Sequence, residues 1–438
     1  MSNHTYPPEL AIAPLTKPVS ATVTVPGSKS ITNRALVLAA LGGIHSCELR
    51  GALQSEDTAV MLGALRVLGL DVDVDDEDPT RIDIWHPEQL EQAPAAAHLF
   101  VANSGTTIRF LTAMLGTLKG HYRLDGVPRM RERPIEELLD GMRQLGVDAR
   151  SESANGCPPV VVNATGTMGG VAKIRGDRSS QFLSGLLMVG PFTSTETVIE
   201  IDGQLVSEPY VAMTLAMIDQ FGYRVEIGPE QRFRFPPNQG RHFCGYYDIE
   251  PDASAASYFW AAAAVAGGRV TVSGLTRASL QGDVRFVDVL VQMGCRVEEC
   301  AAGITIHGGP LRGVDVDMND ISDTVMTLGA VALFAEGPTT IRNVAHIRHK
   351  ETDRIAALAT ELRKLGAEVE ERADGLTITP KPLTGCTVDT YNDHRMAMSL
   401  ALVGLKVPGV VIRNPGCVAK TYPGFWQDLG ALRCERPV

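Results

Sequence analysis

The 438 residues exceed one ordinary domain; at ~150 residues per domain, roughly two or three fit the length. A hydrophobic fraction of 44% and a charged fraction of 21% exclude bulk disorder. The net charge of −11 argues against nucleic acid or an anionic membrane as partner, while leaving room for a small anionic ligand met by a few local cations.

No window reaches the ~18 apolar residues a membrane helix needs. The residues MSNHTYPPELAIAPLTKP carry neither an apolar signal core nor an Arg-rich transit pattern, so a cytoplasmic protein is expected. The eight cysteines, at 47, 157, 244, 295, 300, 386, 417 and 434, include no CxxC pair and read as free thiols of a reducing compartment. The ten histidines are dispersed, so no metal centre is expected.

Two phrases alternate along the chain. The first predicted helix starts at Ser28 in GSKSITNRALVLAAL. LRVLGLDVDV (65–74) follows, which reads as the end of an amphipathic helix, a glycine and an alternating strand. The acidic DVDVDDEDPTR (71–81) continues as a strand into a solvated turn and lacks the glycine and glutamate positions of a calcium loop. A second helix starts at Asn103 in NSGTTIRFLTAML, followed by PRMRERP and the glycine phrase MRQLGVDARS (142–151). A third starts at Asp177 in GDRSSQFLSGLLM, followed by IDQFGYRVEI (218–227). The stretch 228–245, rich in Pro, Gly and Arg, is the expected domain boundary. Beyond it come PDASAASYFWAAAA from Asp252 with LVQMGCRVEE (290–299), and ISDTVMTLGAVALFA from Asp323 with HKETDR and LRKLGAEVEE (362–371). YNDHRMAMSLALVGL from Asn392 closes the series with AKTYPGF and a degraded glycine phrase at Gly430.

The period is about 72 residues, so the chain reads as six units, each with one buried helix, one amphipathic helix and several short strands. Gly69, Gly146, Gly222, Gly294 and Gly366 fall where a helix end requires positive φ. Ser28, Asn103, Asp177, Asp252, Asp323 and Asn392 stand where N-caps belong. The runs behind them are apolar nearly all round, as befits helices buried on every side. A solenoid is the plain alternative, but its repeats are usually shorter and do not open on such varied charged clusters.

A buried helix that starts at the surface aims its N–H groups and positive dipole end outward, which makes an anion site. Several starts add hydroxyls or cations: Lys29, Ser30 and Arg34; Arg109; Ser179, Ser180 and Gln181; Arg395. Between them lie Arg129, Arg131 and Arg133, then Lys350, Glu351 and Arg354, then Lys420. Each cluster alone reads equally as a capped turn, a solvated charge run or helix ion pairs. Their shared place in the repeat points to a ligand, or two, with several negative charges. Asp323 and Glu351 among these cations suggest proton transfer coupled to phosphate departure.

The motifs PGSKSITNRAL, NSGTTIRFL, PRMRERPI, SSQFLSGLLM, SEPY, DASAASYF, ISDTVMT, KETDRI, YNDHRMAM and AKTYPGF stand in this order over residues 14–430. Together they resemble the EPSP synthases, an enolpyruvyl transferase family. The resemblance implies a two-domain α/β fold, the inside-out α/β barrel, with three folding units per domain and the active site in the interdomain cleft. The domains would be 28–246, and 1–27 with 247–438. It implies transfer of the enolpyruvyl group of phosphoenolpyruvate to the 5-hydroxyl of shikimate 3-phosphate, by addition and elimination, in a monomer needing no metal or organic cofactor. It also implies inhibition by glyphosate at the phosphoenolpyruvate site. By position, Lys29, Ser30, Arg34, Ser179, Ser180, Gln181, Ser207, Asp323 and Lys350 would meet shikimate 3-phosphate. Lys29, Gly105, Arg133, Gln181, Arg354, Arg395 and Lys420 would meet phosphoenolpyruvate, with Asp323, Glu351 and Lys29 catalytic.

Three positions depart from the family pattern: Phe110 where proline is common, Arg178 beside the phosphate serines, and His346 where some relatives have asparagine. The nearest rival is UDP-N-acetylglucosamine enolpyruvyl transferase, which typically has a cysteine near PRMRERP; none stands there. A non-catalytic anion-binding repeat protein is the rival of another class, and it leaves Asp323 and Glu351 without a task.

Overall fold

The computed structural model describes residues 5–85, 94–237 and 239–433. The chain divides into two compact units: Gly27–Ile249, and Glu250 onward together with the N-terminal residues up to Pro26.

In the N-terminal unit the helices Lys29–Gly42, Gly105–Leu115 and Ser180–Val189 are buried along nearly their whole lengths and pack on one another. Three four-stranded sheets belong to the same unit, and all follow one plan. In the first, Ala96–Phe100 runs parallel to Lys119–Asp125, which is antiparallel to Val160–Thr165, itself antiparallel to Asp148–Ser151. Gly170–Arg175, Thr197–Asp202, Arg232–Phe235 and Glu226–Gly228 repeat this order. The third sheet draws its parallel edge strand, Phe243–Asp248, from the far end of the unit to pair with Gly43–Arg50. Ala96–Phe100, Asp148–Ser151 and Arg232–Phe235 bury alternate residues, one face inward and one to solvent.

The C-terminal unit repeats the plan in two four-stranded sheets, with a third sheet of three strands, around the inner helices Ala253–Ala266, Val325–Ala332 and His394–Gly404. Its sheets borrow the N-terminal residues: Val19–Val23 pairs in parallel with Gly268–Ser273, and Glu9–Ala11 pairs antiparallel with Val411–Arg413. Helices lie inside and sheets outside, so this is the inside-out α/β arrangement and not a solenoid stack.

Gly69, Gly146, Gly222, Gly294 and Gly366 have φ of 92°, 87°, 83°, 116° and 110°, the left-handed conformation that ends a helix without a Cβ penalty. Gly430 departs from the series: it lies inside the helix Phe425–Ala431. The stretch 228–245 lies just before the division after Ile249. It supplies Arg232–Phe235 and part of Phe243–Asp248 to two sheets of the N-terminal unit. The acidic turn after Asp71–Val74 is solvated, with Asp75 Oδ1 accepting from the N–H groups of Glu77 and Asp78. Among the described residues, no helix is long and apolar enough to cross a membrane. Cys47, Cys157, Cys295, Cys300, Cys386 and Cys417 are free thiols. Cys434 lies outside the described residues.

Candidate active site

Six inner-helix starts were expected to gather cations and hydroxyls, and the caps explain how. Ser28 and Asp252 accept from the N–H groups of Ile31 and Ala255. At three other starts the cap sits one or two residues beyond the expected one: Ser104, Ser179 and Asp393 instead of Asn103, Asp177 and Asn392. Asp323 is not the N-cap residue, which is Thr324; it stands in the 3-10 turn Asn319–Thr324 and turns its carboxylate to arginines. None of the six inner helices carries an acid in its first turn. Five of the six outer helices do, where the dipole favours it. The three inner starts of the N-terminal unit are capped by serines, whose hydroxyls add no negative charge to oppose an anion, whereas Asp252 and Asp393 bring carboxylates to two starts of the C-terminal unit.

In the N-terminal unit, Lys29 opens its helix with Nζ 3.4 Å from Asp57 Oδ2. Ser179, partly exposed, caps the third inner helix, and Ser180 and Gln181 follow at its first turn. Ser207 adopts a left-handed conformation (φ 53°, ψ 46°) at the start of Glu208–Gln220. Such strain in a residue with a Cβ persists only where its surroundings impose it. Arg178 Nε lies 3.5 Å from Glu137 Oε1 and 4.0 Å from Asp177 Oδ1.

Arg34 is turned inward, with 1% of its surface exposed. Its Nε donates to Thr214 Oγ1 at 2.8 Å, and its terminal nitrogens donate to Ser30 O (2.9 Å), Ser184 Oγ (3.1 Å) and Tyr210 O (3.3 Å). Its guanidinium lies 5.1 Å from the centre of the Phe110 ring, a cation–π contact. Burial pulls its pKa down to about 10. Arg34 therefore ties the first inner helix to the third and to the helix behind Ser207. Phe110 serves as its floor, inside an unbroken helix.

Of the three arginines in PRMRERP, Arg129 and Arg131 form surface pairs with Glu132 and Asp125. Arg133 is buried and donates to Asn103 O at 2.9 Å. Gly105 lies against it: a Cβ there would meet the guanidinium nitrogens of Arg133 and Arg109. Arg109 donates to Gly105 O and Pro134 O, holding this helix start to the arginine loop.

In the C-terminal unit the buried guanidinium of Arg354 is the hub. It donates to Asp393 Oδ2 (2.8 Å), Asp323 Oδ1 (3.1 Å) and Glu351 Oε2 (2.9 Å). Burial alone would lower its pKa, yet Asp393, Glu351 and Asp323 together hold it above the ordinary arginine value. Arg395 donates to Asp323 Oδ2 at 2.7 Å and to Tyr258 Oη at 3.4 Å. Burial pushes the Tyr258 phenol up to about 12. Lys420 Nζ stands 3.9 Å from Glu351 Oε1. Three cations and three carboxylates thus meet in one buried cluster, as buried charges must. His346 adjoins it. Burial, then Lys350, depresses its pKa to about 3 against the pull of Asp323, so it is neutral in ordinary buffers.

Asp323, Glu351, Arg354, Arg395 and Lys420 are therefore brought together, with Lys350 at the edge near His346. Sequence reasoning missed Asp393, which both caps its helix through Arg395 N and grips Arg354. The signal was present in NDHR, where Asn392 was preferred as the cap. Among the described residues, no group of three or more His, Cys, Asp or Glu is placed to hold a metal ion.

The EPSP synthase (3-phosphoshikimate 1-carboxyvinyltransferase) family model matches residues 15–429. The chain is similar to 3-phosphoshikimate 1-carboxyvinyltransferase of a Nostoc species, at 47% identity over 95% of this chain and 97% of the relative. It is similar to the protein of that name from Shewanella loihica, at 45% identity over 97% and 99% of the two chains. Its fold is similar to that of EPSP synthase from Acinetobacter baumannii, with a TM-score of 0.79 and 26% identity over 97% and 98% of the chains.

Proposed function

The chain belongs to the EPSP synthase family, and from that premise we propose how its residues divide the work of a 3-phosphoshikimate 1-carboxyvinyltransferase. The reaction forms a bond from the 5-oxygen of shikimate 3-phosphate to C2 of phosphoenolpyruvate while C3 gains a proton. C3 then loses a proton as the bond from C2 to the phosphate oxygen breaks, and the enol ether and phosphate leave. Protons must be handled at two atoms, the 5-oxygen and C3, by groups fixed relative to each other.

The observation that carries this reading is that one guanidinium, that of Arg354, grips both Asp323 and Glu351. In this assignment Asp323 takes the hydroxyl proton and Glu351 serves C3, with Lys350 assisting at the hydroxyl. Arg133, Arg354, Arg395 and Lys420 bind phosphoenolpyruvate, for which a planar arginine fork suits carboxylate and phosphate. Lys29, Ser30, Ser179, Ser180, Gln181 and Ser207 bind shikimate 3-phosphate, supported by the acid-free helix starts. Arg34 serves them from beneath, because its bonds to Ser184, Tyr210 and Thr214 hold three helices in register.

Phosphate release should require both substrates and persist in excess chelator. Release with UDP-N-acetylglucosamine in place of shikimate 3-phosphate would overturn the substrate assignment, and full loss on chelation would overturn the metal-free chemistry.

Gly105→Ala tests the phosphoenolpyruvate side. The added methyl would push on the Arg133 and Arg109 guanidiniums, which are flexible at their ends and can yield. Arg133 should shift without unfolding the protein. Glyphosate inhibition, which the family membership implies, should weaken at least tenfold, about 1.4 kcal/mol. Unchanged inhibition at an unchanged phosphoenolpyruvate KM would remove Arg133 from the site.

A further inference from the structure

The helix that begins with Arg354 ends in a second polar contact set. Glu361, two turns along Arg354–Lys364, is completely buried. Its Oε1 accepts from Lys364 Nζ at 2.9 Å and from the Tyr391 hydroxyl at 2.7 Å. Its Oε2 accepts from the backbone N–H of Asp389 at 3.0 Å. Two of these three donors belong to one short segment, 389–391.

That segment is strained. Tyr391 and Asn392 are consecutive residues with φ of 53° and 55°, and neither is glycine. A left-handed pair of this kind is held only when its surroundings over-determine it. Glu361 holds one end. Asn414 Nδ2 holds the other, donating to Asn392 Oδ1 at 3.1 Å. The next residue is Asp393, which caps the His394–Gly404 helix and grips Arg354. The turn therefore sets where the Asp393 carboxylate stands, and so where the Arg354 guanidinium points and where the backbone of Arg395 enters its helix.

We propose that Glu361 is a positioning residue for the reaction: through Tyr391 and the strained turn it fixes Asp393, and through Asp393 the arginines assigned to phosphoenolpyruvate. The inference rests on that assignment. A purely structural role is the competing account, in which Glu361 merely neutralises Lys364.

Three variants separate the accounts. Tyr391→Phe removes one hydroxyl from a side chain 41% exposed, so folding is not at stake. Glu361→Gln keeps the shape but cannot accept all three bonds. Lys364→Met removes the ion pairs of Lys364 with Glu361 and with Asp389 Oδ2 (2.7 Å) and leaves both bonds from the turn to Glu361, from Asp389 N and the Tyr391 hydroxyl. Tyr391→Phe and Glu361→Gln should raise the KM for phosphoenolpyruvate about five- to tenfold, with the KM for shikimate 3-phosphate within twofold of wild type. Lys364→Met should lower the thermal midpoint and leave both KM values alone. If the phosphoenolpyruvate KM follows the thermal midpoint across the three, or does not move in the first two, the positioning role is overturned. Arg395→Lys is the reference. If it raises that KM and the turn variants do not, positioning alone fails; if it has no effect, the site assignment fails and the inference goes with it.

Discussion

Glu351→Gln is expected to lower turnover by about 10²–10⁴-fold, the usual contribution of a positioned general acid or base, while shikimate 3-phosphate still binds. The amide keeps the side chain's size, and its oxygen can still accept from Arg354 as Glu351 Oε2 does at 2.9 Å. It offers no ionisable proton for C3. Its NH₂ group would also face Lys420, which now stands 3.9 Å from Glu351 Oε1, donor against donor. Turnover alone would not separate these two losses. Exchange of the C3 hydrogens of phosphoenolpyruvate with deuterated solvent does: loss of the proton carrier should abolish exchange, whereas displacement of Lys420 should raise KM and leave exchange measurable. Turnover within a few-fold of wild type would reduce Glu351 to a helix ion-pair residue.

The repeat was legible because its punctuation is backbone chemistry. Five glycines were needed at positive φ, and all five have it. The inner helices were legible because a run apolar on every side has no solvent face to offer. The caps were one or two residues off at Asn103, Asp177 and Asn392. There, adjacent residues could all accept a hydrogen bond, and the local backbone chose Ser104, Ser179 and Asp393. Gly430 failed for the opposite reason, since a helix tolerates glycine where no turn demands it. The Pro- and Gly-rich stretch 228–245 runs up to the division after Ile249, and it also carries strands, since Pro and Gly mark edge strands and turns as readily as chain boundaries.

The site was less legible than the fold, for reasons of distance. Nothing near Arg34 announces Ser184 or Thr214, its partners 150 and 180 residues away, so the brace it forms between helices could not be read from the chain. Asp323 looked like a cap until Arg395, 72 residues on, claimed its carboxylate. Arg178 stood out only as a cation beside the phosphate serines, and nothing local announced Glu137, 41 residues back, as its partner. Residue types were readable locally; the direction each side chain faces was decided by contacts that only folding brings together.

Arg354→Met should be the most destabilising of these changes. Removing one member of a buried ion cluster typically costs about 3–5 kcal/mol, because the groups left behind are charged and dry. Here three carboxylates lose a donor together: Asp393, Glu351 and Asp323. For a unit of this size, 1 kcal/mol moves the thermal midpoint by roughly 2–4 °C, so a fall of about 6–20 °C is expected, with turnover abolished. Arg354→Lys should fall between, since an ammonium keeps the charge but cannot reach all three acceptors as a planar fork does. The cause can be separated from lost packing. Asp393 is completely buried, and Asp393→Asn keeps an oxygen to accept from Arg395 N while removing one charge. Combined with Arg354→Met, it should recover part of the lost midpoint without restoring turnover. If the double variant is no more stable than Arg354→Met, the deficit comes from the missing side-chain volume. A midpoint within about 2 °C of wild type for Arg354→Met alone would mean that solvent already screens the cluster, contrary to its burial.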